Sequence, residues 1–139
     1  MKIDIDYLKN LLEAFESSEE PVTDIYQLKS KGFDYNQGTF IFHMRILDDE
    51  RLISTDSGKT GFGYTSGAGN NGQWSVIPLR LTSSGHSFLK NLKNKDIFSR
   101  IKADFKEEGI EMLIEISKKL AKGYINQKLK PFINSDEED

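Results

Sequence analysis

At 139 residues, with 37% hydrophobic residues and no cysteine, the chain can bury one core without staples, and disulfides, thiolate metal sites and a cysteine nucleophile are excluded. The net charge of −3 does not favour a polyanionic partner, but it is unevenly spread: residues 1–85 carry 8 Lys/Arg against 12 Asp/Glu, and residues 86–139 carry 11 against 10. No apolar run approaches the roughly 20 residues that span a bilayer, and Met1-Lys2-Ile3-Asp4 opens on a charged helix signal, which predicts a cytoplasmic protein with no membrane partner.

In chain order, Ile5, Leu8, Leu12 and Phe15 recur at helical spacing, with Asp4 or Asp6 as cap, and Glu19-Glu20-Pro21 breaks that helix. Thr23 or Asp24 caps a short helix that turns Ile25 and Leu28 inward, and Gly32 can end it in a left-handed conformation. Asn36 caps a third helix running to about residue 50. Leu52 to Thr55 reads as a strand. Residues 57–73 hold six glycines with Ser, Thr and Asn and read as a flexible loop, after which Trp74 to Leu81 forms a return strand with Pro78 at an edge or bulge.

Ser83 or Ser84 starts a fourth helix, to about Lys90, that buries Phe88, Leu89 and Leu92. Asp96 caps a fifth, with Ile97, Ile101 and Phe105 on one face. A last helix from about Ile110 to Leu129 buries Leu113, Ile116, Leu120 and Tyr124, with Ile110, Ile114 and Ile125 widening the face, and Pro131 stops it. Third helix, long hairpin and a helix opened by Leu81-Thr82-x-x-Gly85 together predict a mainly α protein with a small β-hairpin wing (α+β). The fold is read as a winged helix-turn-helix over residues 1–95. A C-terminal helical extension over 96–130 and an acidic disordered tail over 131–139 follow.

The opening helix, the His43…Leu47…Leu52-Ile53 block, the run Leu81-Thr82-x-x-Gly85-His86-x-Phe88-Leu89 and the following Ile97-Phe98-x-x-Ile101-Lys102 make one pattern. Over roughly residues 1–105 it resembles an uncharacterised, often prophage-borne bacterial family, a domain of unknown function with a winged-helix core. Ser84 stands where an aromatic is common in that pattern, Phe98 where a tryptophan is common, and Arg51-Leu52-Ile53 where Gly-Leu-Ile often ends the third helix. The resemblance implies a bacterial or phage origin and a winged helix, and it carries no activity.

Enzyme chemistry finds little footing. Ser57-Gly58-Lys59-Thr60 ends like a P-loop, but that motif needs a glycine where Ile53 stands. Gly61-x-Gly63 and Gly67-x-Gly69 lie between strands, not at a strand-to-helix turn. His43 and His86 lack close ligand spacing and read as packed at helix edges with satisfied rings. No catalytic residue, metal site or cofactor is expected.

Two functions remain open. In the first, double-stranded DNA is read by Asn36, Gln37 and Thr39 at the start of the third helix. Arg45 reaches a phosphate or base, and Lys59 and Arg80 hold phosphates on the wing. The protein is then a bacterial or prophage transcriptional regulator. In the second, the same scaffold is a protein-interaction module without DNA binding. If Phe40, Met44 and Leu47 are buried, then Gly38, Phe42, Arg45 and Asp49 face outward, and Phe42 with Ile41 offers an apolar contact to a protein partner. The wide apolar face of the last helix, centred on Leu113, Ile116, Leu120 and Tyr124, is the candidate seam of a homodimer. Lys118, Lys119, Lys122, Lys128 and Lys130 read as its solvated face.

Overall fold

The computed structural model describes the backbone of residues 1–69 and 72–138, with side chains through Ile133. Helix α1 (Ile5–Glu16) forms where Asp4 can cap it: the Asp4 carboxylate accepts the Tyr7 N–H at 3.1 Å and sets a negative charge at the positive helix end. Helix α2 (Ile25–Ser30) is started by Asp24, which accepts from the Gln27 N–H at 2.9 Å. Both helices bury the apolar positions that their spacing predicts, and Gly32 takes a φ of 101° just beyond α2.

Helix α3 (Gly38–Asp49) is not capped by Asn36. Gln37 occupies the cap position and makes no side-chain cap bond. Asn36 lies one residue too early, in a turn where the Asp34 carboxylate accepts its N–H at 2.9 Å. The other end of α3 is closed by paired bonds from Arg51 N–H to the Asp48 carbonyl (3.1 Å) and from Leu52 N–H to the Leu47 carbonyl (2.8 Å). That closure needs a left-handed residue, and Arg51 supplies it at a φ of 57°. A glycine would adopt this conformation freely; a side chain there costs about 1 kcal/mol.

Strand β1 (Ile53–Thr55) pairs antiparallel with a later strand at Leu79–Leu81, in the register Ile53↔Leu81, Ser54↔Arg80, Thr55↔Leu79. Thr23 bridges the far side of that later strand, exchanging two 2.8 Å bonds with Leu79. Between the two partners, the segment predicted as a flexible loop contains a second ladder: β2 (Tyr64–Thr65) pairs with β3 (Gln73–Trp74). The Leu79–Leu81 strand is therefore β4. The single return strand expected over Trp74–Leu81 is two strands separated by Ser75–Pro78. Pro78 has no N–H to give a ladder, and its carbonyl instead accepts from Asp56 at 3.2 Å.

Aromatic packing explains how two-residue strands persist in a glycine-rich segment. The Trp74 ring lies 4.8 Å from Tyr64, 5.7 Å from Tyr35, and 5.9 Å from both Phe40 and Phe62. Phe40 and Phe62 are buried, so this cluster joins the wing to the helical core.

Helix α4 (Ser83–Lys93) starts at the predicted serine, but the cap is Thr82. Its hydroxyl accepts from Gly85 N–H at 3.0 Å and donates to the Arg51 carbonyl at 2.6 Å, tying the start of α4 to the end of α3. In α5 (Lys95–Asp104) the cap is Asn94, whose side chain accepts from Asp96 and Ile97; the predicted cap Asp96 sits in the first turn. Helix α6 (Ile110–Glu138) continues through Pro131, where a stop is expected. Proline removes one i→i−4 bond and crowds one carbonyl without blocking the residues that follow, and exposed flanks such as Lys130 and Phe132 leave no packing to disturb. The helical backbone thus extends into the predicted disordered tail; the side chains of Asp136, Glu137 and Glu138, and Asp139 as a whole, lie outside the described residues.

The chain divides into two compact units, Met1–Leu89 and the segment from Lys90 onward. The first is built around Leu8, Leu12, Leu28, Phe40, Met44 and Leu79, and the second around Leu92, Ile97, Ile101 and Leu113. The protein is mixed α+β, with six helices and small antiparallel strand pairs among the described residues: a helical protein with a small β wing. Among those residues, no helix is long and apolar enough to cross a membrane.

Candidate nucleic-acid interface

Helix α3 buries Phe40, Met44 and Leu47, as its periodicity requires, and leaves Gln37, Gly38, Arg45 and Asp49 exposed together with Asn36 just before it. Thr39 is half-buried. Ile41 and Phe42 are also half-buried, and the Phe42 ring stands edge-on to His43 at 5.1 Å. The open apolar patch expected at Phe42 is reduced accordingly, because the ring has a partner within its own helix.

A second face of α3 holds the wing. The Arg45 guanidinium donates to the Ser66 hydroxyl at 2.7 Å and lies 5.5 Å over the Tyr64 ring. One turn on, the Asp48 carboxylate accepts the Gly61 N–H at 2.9 Å. Arg45 therefore serves as a wing anchor, although its exposed position on the helical wheel suggested an outward contact. Asp48 is spent on a backbone donor of the wing.

Lys59 and Arg80 come together at the root of the wing. The Lys59 backbone is fixed from both sides by Thr55: its N–H donates to the Thr55 hydroxyl (2.9 Å), and its carbonyl accepts from the Thr55 N–H (3.0 Å). Arg80 is steered by the carbonyls of Asp56 (3.3 Å) and Leu81 (3.4 Å). With Arg51 they line an open cavity of about 730 Å³. Neither Arg45 nor the start of α3 lines it, so the predicted DNA-contacting set falls into two groups: Asn36, Gln37 and Thr39 at the helix start, and Lys59 and Arg80 at the wing root. Arg51 was missed because a helix-ending arginine carries no pattern of its own. The signal for Tyr64 and Trp74 was present in the aromatics spaced through a glycine-rich loop.

Residues 2–111 match the family described as "Hypothetical protein (DUF2513)". The chain belongs to the DUF2513 family. It is also similar to an uncharacterized protein of Haemophilus influenzae, 25% identical over 129 residues that cover 93% of this chain and 99% of that protein. No solved structure matches the chain. The DUF2513 match takes in α1 to α5 with the whole wing and stops two residues into α6.

All four residues of the predicted dimer seam thus lie beyond the DUF2513 match, and α6 requires a correction there. Leu113 is buried within its own chain and cannot meet a second copy; Ile116 and Leu120 are half-buried. Of the four, Tyr124 alone is exposed, and it is followed by exposed Ile125, Leu129, Phe132 and Ile133. Apart from Met112 in its first turn, the apolar surface that α6 leaves open begins about where the predicted seam ends, and α5 packs on the helix.

The two histidines of this DUF2513 chain differ. His86 is exposed, contrary to the expectation that it packs. His43 is buried, and both ring nitrogens are bonded: Nε2 accepts the Asp4 N–H at 3.0 Å, which leaves Nδ1 as the protonated nitrogen donating to the Thr39 carbonyl at 2.8 Å. Burial lowers the His43 pKa from the usual 6.5, outweighing the Thr39 bond and the Asp4 charge, which both raise it. A neutral, doubly bonded ring is a structural tie between α1 and α3.

Proposed function

We propose that this protein is a non-enzymatic, cytoplasmic DNA-binding regulator of bacterial or prophage origin, built on a winged helix-turn-helix. Support for the scaffold comes from connectivity: α1, a Thr23 bridge, α2, α3, then β1 and β4 with β4 in the middle and the wing between them. The observation that carries the function is the uncapped first turn of α3. Gln37 makes no cap bond, and Asn36, Gln37 and Gly38 are exposed. Unsatisfied N–H groups at a positive helix end attract phosphate, and the Asn and Gln amides can pair bidentately with adenine. Lys59 adds a phosphate contact from the wing. Arg45 acts indirectly by holding the wing in place.

Fluorescence anisotropy with a labelled duplex at about 50 and 200 mM salt tests this reading, since counterion release makes phosphate binding fall steeply over that range. Replacing Gln37 by Ala is expected to weaken binding roughly fivefold or more at a cognate site, and Lys59→Gln to reduce the salt slope by about 0.9. No binding at the lower salt would sink it. The rival reading, a protein-interaction module, is favoured by one observation: the tethered Arg45 and exposed Asp49 leave the outer face of α3 poor in free positive charge.

Homodimerisation through the open part of α6 belongs to the same proposal. Ile125, Leu129 and Phe132 recur at helical spacing on an exposed face. Light scattering is expected to give about twice the 15.9 kDa chain mass, and Leu129→Asp to return it to the monomer value. A wild-type monomer at high micromolar concentration would exclude this seam.

A further inference from the structure

We infer that the wing-root cavity is a binding site for a phosphate group, separate from the α3 surface. Three cationic side chains, Arg51, Lys59 and Arg80, line it, and among the described residues none of them lies within ion-pair distance of a carboxylate. Asp56 gives Arg80 its carbonyl, not its carboxylate. Three like charges around one cavity repel one another, and an anion in their midst relieves that repulsion. Thr60 and Ser83 also line the cavity, and among the described residues their hydroxyls have no protein partner. Arginine forks and hydroxyl donors suit the several acceptor oxygens of a phosphate.

The backbone adds a second observation. Arg51 stands in the left-handed conformation, where a bulky side chain is disfavoured, and it is one of the residues that line this cavity. The cavity has room for much more than a phosphate group, yet no aromatic side chain lines it among the described residues, so it offers no stacking surface to a base. The site reads the phosphate, borne either by a small phosphorylated molecule or by a nucleic-acid backbone.

The test is an amide-resolved NMR titration of the full chain with inorganic phosphate at constant ionic strength. Saturable shifts are expected at Gly58, Lys59, Thr60 and Ser83, with an apparent Kd of about 1 mM or tighter. Arg51→Gly and Arg80→Gln are each expected to weaken binding roughly tenfold. Arg51→Gly also relieves the left-handed strain, so its melting temperature should rise while its affinity falls, which separates lost binding from lost folding. Absence of saturable shifts at these amides, or shifts unchanged in both variants, overturns the inference. Adding unlabelled duplex then distinguishes the source: displacement of phosphate assigns the site to a DNA backbone, and retention assigns it to a free phosphorylated molecule, and both support the site. It does not depend on DNA binding by α3, which can fail while phosphate still binds at the wing root.

Discussion

Gly85→Ala is expected to destabilise the protein by about 3 kcal/mol, although alanine in a helix interior gains about 1 kcal/mol over glycine on propensity alone. The residue sits in the first turn of α4, buried against the strand-forming segment that follows α3. A Cβ there would overlap the Leu52 carbonyl oxygen. That oxygen belongs to the backbone and already accepts the Thr82 N–H at 3.0 Å, so it cannot rotate aside as a side chain would. Relief requires α4 to withdraw, and withdrawal breaks the Thr82 hydroxyl's links to Arg51 and Gly85. Urea denaturation of the variant and wild type measures the difference. A loss below about 1 kcal/mol would show that the junction yields, and the close approach would then be no constraint on this position.

The same junction shows what could be read from residues alone. Leu81-Thr82-x-x-Gly85 was legible as a turn into a helix because each member has a local signature: a buried strand residue, a capping hydroxyl, and a residue without a side chain. Which hydroxyl caps was not legible. Thr82, Ser83 and Ser84 are all competent, and the choice follows from where the first free N–H groups of α4 point, which is set by the tie to Arg51. Asn36 and Asp96 fail as caps because each is out of register with the cap position: Asn36 lies one residue before it and Asp96 two residues after it, inside the first turn that Asn94 caps. The inner ladder of the wing, β2 with β3, was hidden differently. Its strands are two residues long, and their stability comes from Trp74 meeting Tyr35 and Phe40 across the chain, contacts that no window of sequence contains. Arg45 was placed correctly on the outer side of α3, but its partner Ser66 comes from the segment read as a loop, just after β2. In α6 the apolar period was clear, while the point at which burial ends was not, because it depends on how far α5 reaches along the helix.

His43→Leu is expected to lower stability by about 2–3 kcal/mol despite replacing a polar group in the core with an apolar one. At 1% exposure the ring fills space that leucine would partly fill, but its two hydrogen bonds cannot be replaced. The Asp4 N–H, which Nε2 now accepts, would be left without its partner where α1 begins. Acid should act on the same tie. With the folded pKa lowered below 6.5, both states are neutral above that pH and stability is complete. As pH falls through 6.5 the unfolded chain takes up a proton that the folded chain resists, so stability falls until the folded pKa is passed. Protonated Nε2 would turn a donor toward the Asp4 N–H. Urea midpoints at about pH 7.5, 6.5 and 5.5 should therefore decline in wild type, and the part due to His43 should vanish in the leucine variant. Tyr7→Phe is the control. The Tyr7 ring lies 4.6 Å from His43, and its buried hydroxyl has no partner among the described residues, with burial and then Asp34 pushing its pKa up to about 12. Removing that hydroxyl leaves the His43 bonds in place and should be neutral or stabilising by up to about 1 kcal/mol. Equal pH slopes in wild type and His43→Leu would assign the acid sensitivity to the carboxylates instead.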